Sequence, residues 1–434
     1  MIVYLILYGA GMLFASSAHS YMSGVSLMLA ALYLYFYDYR RSGDPLHLRA
    51  LFSLFWVGGE GISCLKLSHL QKDWEFVTWA AFFVALAAFW SVYGLAEKRI
   101  RGKYTERSFN VRKTDYGRAI YLILLILTAV SWSAFLLEAA VLGYVPFFLR
   151  GVPHAYSYFH ISGVHYFTVS CVLVPSMAVL SLAYGENIGK KQKAITMLAV
   201  FLALMVPILC VSRFQLIFAV FLAVLTYMQV SGKKKIGYLF AAVLALIPLY
   251  VILTIARSHD VAYLNGIFEM KNENTPIFIT QPYIYIANNY DNFNCLVKEL
   301  PKHSLGMKGL FPLWALTGLK FIRPELAAYP IFTTKEELTT VTLFYDAYYD
   351  FGIAGVFFFA ALLGVFSAWL MERVRRPGNP FWQLLYSQAA MYLMLSFFTT
   401  WYSNPSTWFY FAATAAAAAF TEAFGRFMHR REIR

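Results

Sequence analysis

The sequence predicts an all-α protein that crosses a membrane many times. Hydrophobic residues make up 60% of its 434 residues and charged residues only 14%, whereas soluble domains contain roughly 45–50% and 25% of these classes. The apolar residues fall into runs of about 20, the length that a helix needs to cross a hydrocarbon core about 30 Å thick. We therefore expect one transmembrane domain over residues 1–434.

About twelve transmembrane helices can be placed on the apolar runs. The first run has no basic residue before it, so we expect a retained helix rather than a secretory signal. The predicted spans are residues 2–18, 21–38, 50–68, 76–95, 119–142, 163–184, 194–210, 212–230, 236–256, 341–371, 381–402 and 406–425.

The basic residues predict how these spans are oriented. Lys and Arg form short clusters on alternate connections, as at Arg40–Arg41, Lys190–Lys191 and Lys233–Lys235. Since basic residues are retained on the cytoplasmic side, this alternation predicts that both termini are cytoplasmic. The net charge of +13 is therefore explained by topology. Because the clusters do not share one polar face, no nucleic-acid partner is expected.

One connection is much longer than the others. Residues 257–340, between the ninth and tenth predicted spans, would form a long extracytoplasmic loop. Connections of this length usually cover a functional site or are disordered. The aromatic and proline residues in Gln281-Pro282-Tyr283 favour a packed cap, which we expect to cover the active site.

Three arginines lie near the predicted outer ends of the spans. Arg213 opens the eighth span, Arg257 closes the ninth, and Arg150 lies in an outer connection. A guanidinium at membrane depth is expensive unless it is paired or reaches the surface. Its planar donors suit a diphosphate group. Interfacial anchoring, or a solvated position for Arg150, is the alternative interpretation.

Two acids mark the start of the tenth span. Asp346 and Asp350 are four residues apart and would share one face of a helix, as would Tyr345 and Tyr349. Neighbouring carboxylates disfavour each other's ionisation, which suits one of them to accept a proton. The alternative is that these acids simply interact with the positive end of the helix dipole.

A third polar group lies in the long connection. Tyr290, Asp291 and Asn292 form a block of amide, acid and aromatic side chains, and His303 and Arg323 follow. Such a mixture suits sugar hydroxyls and sugar faces, but it also suits a tight turn.

Common cofactor and metal motifs are absent from the sequence. It contains no phosphate loop, dinucleotide glycine motif, His-Glu-x-x-His pair or paired-cysteine spacing. We therefore expect no metal and no cofactor. Glu60 and Glu138 lie within apolar runs and are functional candidates because a charge there is costly.

Three blocks of the sequence resemble those of a known family. They are Ser212-Arg213, the block Tyr290–Phe293, and Thr342…Tyr345…Tyr349-Asp350-Phe351-Gly352…Gly355. Over about residues 200–370 the chain resembles the Wzy-type oligosaccharide repeat-unit polymerases of bacterial O-antigen, capsule and exopolysaccharide pathways. The resemblance implies the GT-C-like architecture of these polymerases and the related ligases. The ligases have a His-Asn pair where this chain has Thr339–Thr342.

The resemblance implies a metal-independent glycosyltransferase on the outer face of the bacterial cytoplasmic membrane. It would transfer a chain from undecaprenyl diphosphate to a new lipid-linked repeat unit, alongside a flippase and a chain-length regulator. Asp350, Asp346 or Asp291 would act on the acceptor proton, with Asp350 ranked first. The diphosphate ligands would be Arg213, Arg257 and Arg150. The glycan ligands would be Tyr290, Asn292, Tyr345, Tyr349, His303 and Arg323.

Other functions fit the same composition. A flippase or transporter for the lipid-linked unit would also need many spans and internal charges, although the single long connection gives no sign of two related halves. A related O-antigen ligase and a non-catalytic export component are the remaining alternatives.

Overall fold

The computed structural model describes residues 1–101, 113–149, 155–185, 188–242, 244–246, 261–376 and 378–432. The predicted all-α class is confirmed, because the chain is 76% helical and its described residues contain no strand. The one β-bridge is isolated and joins Ser68 to Met270.

The longer helices that lie wholly within the described residues follow one another with short connections in most places. In chain order they are α1 Ile2–Ser16, α2 Ser20–Ser42, α3 Leu48–Ser63, α4 Phe76–Arg101, α5 Lys113–Leu142, α6 Val174–Tyr184, α7 Lys190–Leu209, α8 Arg213–Ser231, α9 Val261–Phe268, α10 Ile277–Glu299, α11 Tyr345–Val374, α12 Phe381–Met394 and α13 Pro405–Glu432.

The structure supports a multi-pass membrane protein, but it does not confirm twelve spans. Among the described residues, seven helical segments are long and apolar enough to cross a bilayer. They are Ser20–Ser42, Phe76–Ile100, Tyr116–Leu142, His165–Tyr184, Lys190–Leu209, Arg213–Ser231 and Tyr345–Val374. Helices α1, α3 and α12 have 15, 16 and 14 residues. At 1.5 Å per residue they reach about 21–24 Å, less than the hydrocarbon thickness.

The chain divides into two compact units. The first unit comprises Met1–Tyr104, Asp260–Arg373 and Tyr392–Thr407. The second unit comprises Thr105–His259, Val374–Met391 and Trp408–Arg434.

Small residues let the helices of the first unit approach closely. A Cβ atom on Gly24 of α2 would lie 2.7 Å from the carbonyl oxygen of Gly61 in α3, and one on Gly61 would lie 2.9 Å from that of Gly24. Such backbone contact through small residues is typical of helices packed in membranes. Gly59 makes room for the Tyr290 hydroxyl, which donates to the carbonyl of Trp56 at 2.8 Å.

The long connection predicted as an outer loop contains part of the core of the first unit. Helices α9 and α10 lie within it, and Phe268, Ile284 and Ala287 are buried in one apolar cluster. The hydropathy pattern missed α10 because seven of its buried residues are polar, namely Thr280, Gln281, Asn288, Asn289, Asp291, Asn292 and Asn294. Only the later part of the stretch is largely irregular.

Helix α11 is interrupted near its start. Phe351 has φ −141° and ψ 18°, and Gly352 has φ 62° and ψ −146°. This φ belongs to the left-handed region that glycine adopts readily. Residues 345–350 therefore form a short helical segment that carries both acids, ahead of the long helix that follows.

In the second unit, Glu138 of α5 holds the connection that follows its helix. It accepts hydrogen bonds from the Ile161 amide at 2.8 Å and the Thr168 hydroxyl at 2.7 Å, and His165 Nδ1 lies 3.1 Å away. These partners account for a carboxylate that the sequence marked only by its position in an apolar run.

Candidate functional site

The loop that precedes α11 folds back onto the start of that helix through Asp350. This carboxylate is 4% exposed. Its Oδ1 accepts from the Ser304 hydroxyl and from the Lys308 amide at 3.0 Å, and its Oδ2 accepts from the Gly309 amide at 2.7 Å. Asp350 therefore holds residues 304–309 in place.

Asp346 lies one helical turn earlier and has different partners. It is 6% exposed, and the hydroxyl side chains of Thr400 and Ser403 are among its polar neighbours. It also interacts electrostatically with Lys308. Both hydroxyls come from the segment between α12 and α13, far away in the sequence.

The two carboxylates differ in what a proton would do to their partners. A backbone amide can only donate, so protonating Asp350 would weaken its bonds from the amides of Lys308 and Gly309. A hydroxyl can donate or accept, so the neighbouring Thr400 and Ser403 can interact favourably with Asp346 whether or not it carries a proton. The surroundings of Asp346 therefore suit a proton acceptor better than those of Asp350 do.

Lys308 supplies a cation beside these acids. Its Nζ lies 5.0 Å from the centroid of the Tyr349 ring, and its charge interacts with both Asp346 and Asp350. Burial lowers the pKa of Lys308, and the two carboxylates oppose that change. Lys308 lies in an irregular stretch, and no local pattern of residues marks it.

Aromatic side chains and a histidine surround this cluster. The Tyr345 hydroxyl accepts from the Phe332 amide at 2.8 Å and donates to its carbonyl at 3.0 Å, so Tyr345 fixes the loop. Phe332 also packs on Tyr349, with ring centroids 6.1 Å apart. His303 is exposed, and its Nδ1 lies 3.2 Å from the carbonyl oxygen of Tyr349.

Asp291 lies in a separate, fully satisfied network. Its Oδ1 pairs with Lys66 at 2.6 Å and accepts from the Trp74 indole at 3.0 Å. Its Oδ2 accepts from Ser63 at 3.1 Å and Gln71 at 2.8 Å. The prediction that Asp291 acts on an acceptor hydroxyl conflicts with this geometry, because four donors already occupy its oxygens.

Tyr290 and Asn292 are buried rather than presented to a glycan. Both have no exposed surface. The Asn292 amide nitrogen donates to the carbonyls of Leu338 and Thr340, and its oxygen accepts from the Thr334 amide. Tyr290 joins α10 to α3, and Asn292 joins α10 to the end of the loop. That they bind sugar stays a prediction.

The predicted diphosphate arginines are only partly described. Arg213 is the first residue of α8 and is 7% exposed. It follows Val211, whose φ of 55° is unusual for a β-branched residue. Arg150 and Arg257 lie outside the described residues. Arg323, a predicted glycan ligand, is exposed in the loop.

The same loop carries exposed apolar residues near its polar ones. They are Leu305, Leu310, Leu313, Leu316, Phe321, Ile322 and Ile331. Among the described residues, no group of three or more His, Cys, Asp or Glu side chains is placed to hold a metal ion.

Sequence reasoning found the acids and Tyr349 but missed Ser304, Lys308, Thr400 and Ser403. Small hydroxyl residues are common in membrane helices and loops, so nothing local distinguishes these two serines and the threonine. Comparison of the chain with protein-family models, curated proteins and solved structures gave no match.

Proposed function

We propose that this protein is a bacterial polysaccharide polymerase, which joins oligosaccharide repeat units carried on undecaprenyl diphosphate at the outer face of the cytoplasmic membrane. The observation that carries the proposal is Asp346, a buried carboxylate with the hydroxyls of Thr400 and Ser403 and the Lys308 ammonium among its neighbours. The resemblance of the sequence to Wzy-type polymerases supplies the substrate class.

In the proposed reaction an acceptor sugar hydroxyl attacks C1 of the donor sugar. The bond between C1 and the diphosphate oxygen breaks, and undecaprenyl diphosphate leaves with the bonding electron pair. Asp346 takes the hydroxyl proton, and Thr400 and Ser403 can adjust as it does so. Asp350 acts as a positioning residue, because it holds the loop that carries Lys308.

The surroundings of Asp346 suit a substrate with a charged head and a long apolar tail. The Lys308 cation can offset negative charge that develops on the leaving diphosphate. Tyr349 offers a ring for a sugar face. The exposed apolar residues of the loop, including Leu313 and Phe321, offer surface to lipid.

The arginine assignments remain part of the proposal. A buried Arg213 at the start of α8 suits the predicted diphosphate ligand, and its effect can be measured independently of Asp346. Arg213→Lys keeps the charge but removes the planar pair of donors. A polymerase that needs a bidentate phosphate contact at Arg213 should lose activity in this variant.

Reconstitution in liposomes tests the proposed activity. Lipid-linked single repeat units, isolated from source cells that lack this gene, would be added and the products separated by size. We expect a ladder of longer lipid-linked glycans. Asp346→Asn should abolish the ladder, while Glu336→Gln, which removes an exposed acid in the same loop, should leave it unchanged.

Other products would support other functions. Movement of intact units across the bilayer without growth would indicate a flippase. Transfer of the glycan only to a lipid A core would indicate a ligase. A normal ladder from folded Asp346→Asn protein would remove Asp346 from the mechanism.

A further inference from the structure

A groove at the end of α2 lies outside the candidate active site and has a distinct chemistry. It has a volume of about 670 Å³ and is lined by Tyr33, Phe36, Tyr37, Arg40 and Arg41. The three aromatic side chains are exposed, and the two arginines form the last turn of the helix. One wall is thus aromatic and one end is cationic.

A third arginine near this groove, Arg49, is paired with other residues of the fold. Arg49 donates from Nε to Asp38 Oδ2 at 2.8 Å, and its guanidinium lies 4.1 Å from the Trp90 ring centroid. Arg40 and Arg41 are exposed and form no ion pair with a described residue. The carboxylate of Asp38 is already paired with Arg49. The charges of the two groove arginines therefore remain available to bind another anion.

The exposed face of α2 changes in polarity along its length, in the order in which a bilayer changes from hydrocarbon to headgroups. It begins with apolar side chains, continues with aromatic ones and ends with arginines. Tyr33 and Arg41 are eight residues apart, which corresponds to about 12 Å along a helix. Aromatic residues favour the interface between hydrocarbon and headgroups. The exposed residues that follow this order are Val25, Leu29, Leu32, Tyr33, Phe36, Tyr37, Arg40 and Arg41, and Tyr21, Met22 and Tyr39 of the same helix are exposed as well.

We propose that this groove binds the headgroup of an anionic phospholipid from the surrounding bilayer. The guanidinium groups of Arg40 and Arg41 would each offer paired donors to phosphate oxygens. The rings of Tyr33, Phe36 and Tyr37 would pack against the glycerol and upper acyl region. A free phosphate has the charge but not the apolar part, so it would use only the cationic end. This site does not depend on the proposed transferase activity.

Binding of phosphatidylglycerol to the full-length protein tests the proposal. The protein would be held in phosphatidylcholine nanodiscs and bound lipid counted by native mass spectrometry as the phosphatidylglycerol content rises. An Arg40→Gln/Arg41→Gln variant should weaken binding about tenfold or more, since each basic residue near the surface contributes about fivefold. The matched control is Lys190→Gln/Lys191→Gln, which removes the same charge from the exposed start of α7.

The outcomes separate a built site from diffuse attraction. Equal weakening by the two double variants would overturn the proposal in favour of general surface charge. Binding of inorganic phosphate as tightly as phosphatidylglycerol would overturn it in favour of a small-anion site. A Phe36→Ser/Tyr37→Ser variant keeps both arginines and should also bind less phosphatidylglycerol. If the arginine variant does not fold, unchanged binding by the aromatic variant would reject the groove.

Discussion

The ion pair between Lys66 and Asp291 offers the sharpest test of how the first unit is held together. The side chains of Lys66 and Asp291 are 10% and 3% exposed, and their Nζ and Oδ1 atoms lie 2.6 Å apart. Asp291→Asn keeps the shape but replaces one acceptor by a donor. Whichever way the new amide is turned, it faces a donor from the Lys66 and Trp74 side or from the Ser63 and Gln71 side.

The expected magnitude follows from leaving a buried ammonium unpaired. Removing one partner of a buried ion pair destabilises a protein by about 3–5 kcal/mol. Asp291→Asn should therefore lower the free energy of unfolding by about that amount, measured by denaturant unfolding in detergent. Lys66→Met keeps the apolar stem and removes the charge. The double variant should lose less than the sum of the two single losses, by about 0.5–3 kcal/mol.

Activity measurements decide whether Asp291 is structural or catalytic. If its role is structural, the fraction of Asp291→Asn protein that remains folded should keep a near-normal rate in the proposed polymerase reaction. Normal stability together with a lost ladder would refute the reasoning and restore Asp291 to the reaction. Additive losses in the double variant would show that the pair does not contribute as a pair.

Three further predictions concern other parts of the structure. Burial lowers the pKa of His47 to about 4, so the unfolded chain binds a proton at a higher pH than the folded chain does. The free energy of unfolding should therefore fall by about 3 kcal/mol as the pH drops from about 6.5 to 4. His47→Asn should flatten this dependence when unfolding is measured against pH. Gly352→Ala should destabilise the protein by about 1–3 kcal/mol, because its φ of 62° suits glycine and a Cβ would lie 3.3 Å from the His303 ring; unfolding free energies in detergent would show this. Thr168→Val removes the 2.7 Å bond to Glu138 but keeps the volume, and should cost about 1–3 kcal/mol in the same measurement.

The fold class could be predicted from the sequence because hydropathy reports directly on burial in lipid. The break between α7 and α8, at residues 210–212, falls where the seventh and eighth predicted spans meet. Helix α10 could not be found in this way. Its asparagines and Asp291 are buried against partners such as Ser63, which lies 228 residues away in the sequence. No local window contains both sides of such a contact.

The acids at the start of α11 show why the spacing of residues does not fix their roles. Asp346 and Asp350 are four residues apart on one short helical segment, and the sequence ranked Asp350 first. The structure distinguishes them through partners that the spacing does not contain. Backbone amides hold Asp350, while Thr400 and Ser403 reach Asp346 from a distant segment.

A buried polar group in an apolar chain indicates that the group has a structural or functional role, but not that it is catalytic. Glu138, Asp291 and Asp346 are all buried acids in this apolar chain, and a buried charge is costly. Asp291 faces four donors, including the Lys66 ammonium, and gaining a proton would disrupt that network. The neighbours of Asp346 include the hydroxyls of Thr400 and Ser403, which can act as donor or acceptor when it gains a proton. A proton acceptor in this protein is therefore better identified by the freedom of its partners than by the rarity of its charge.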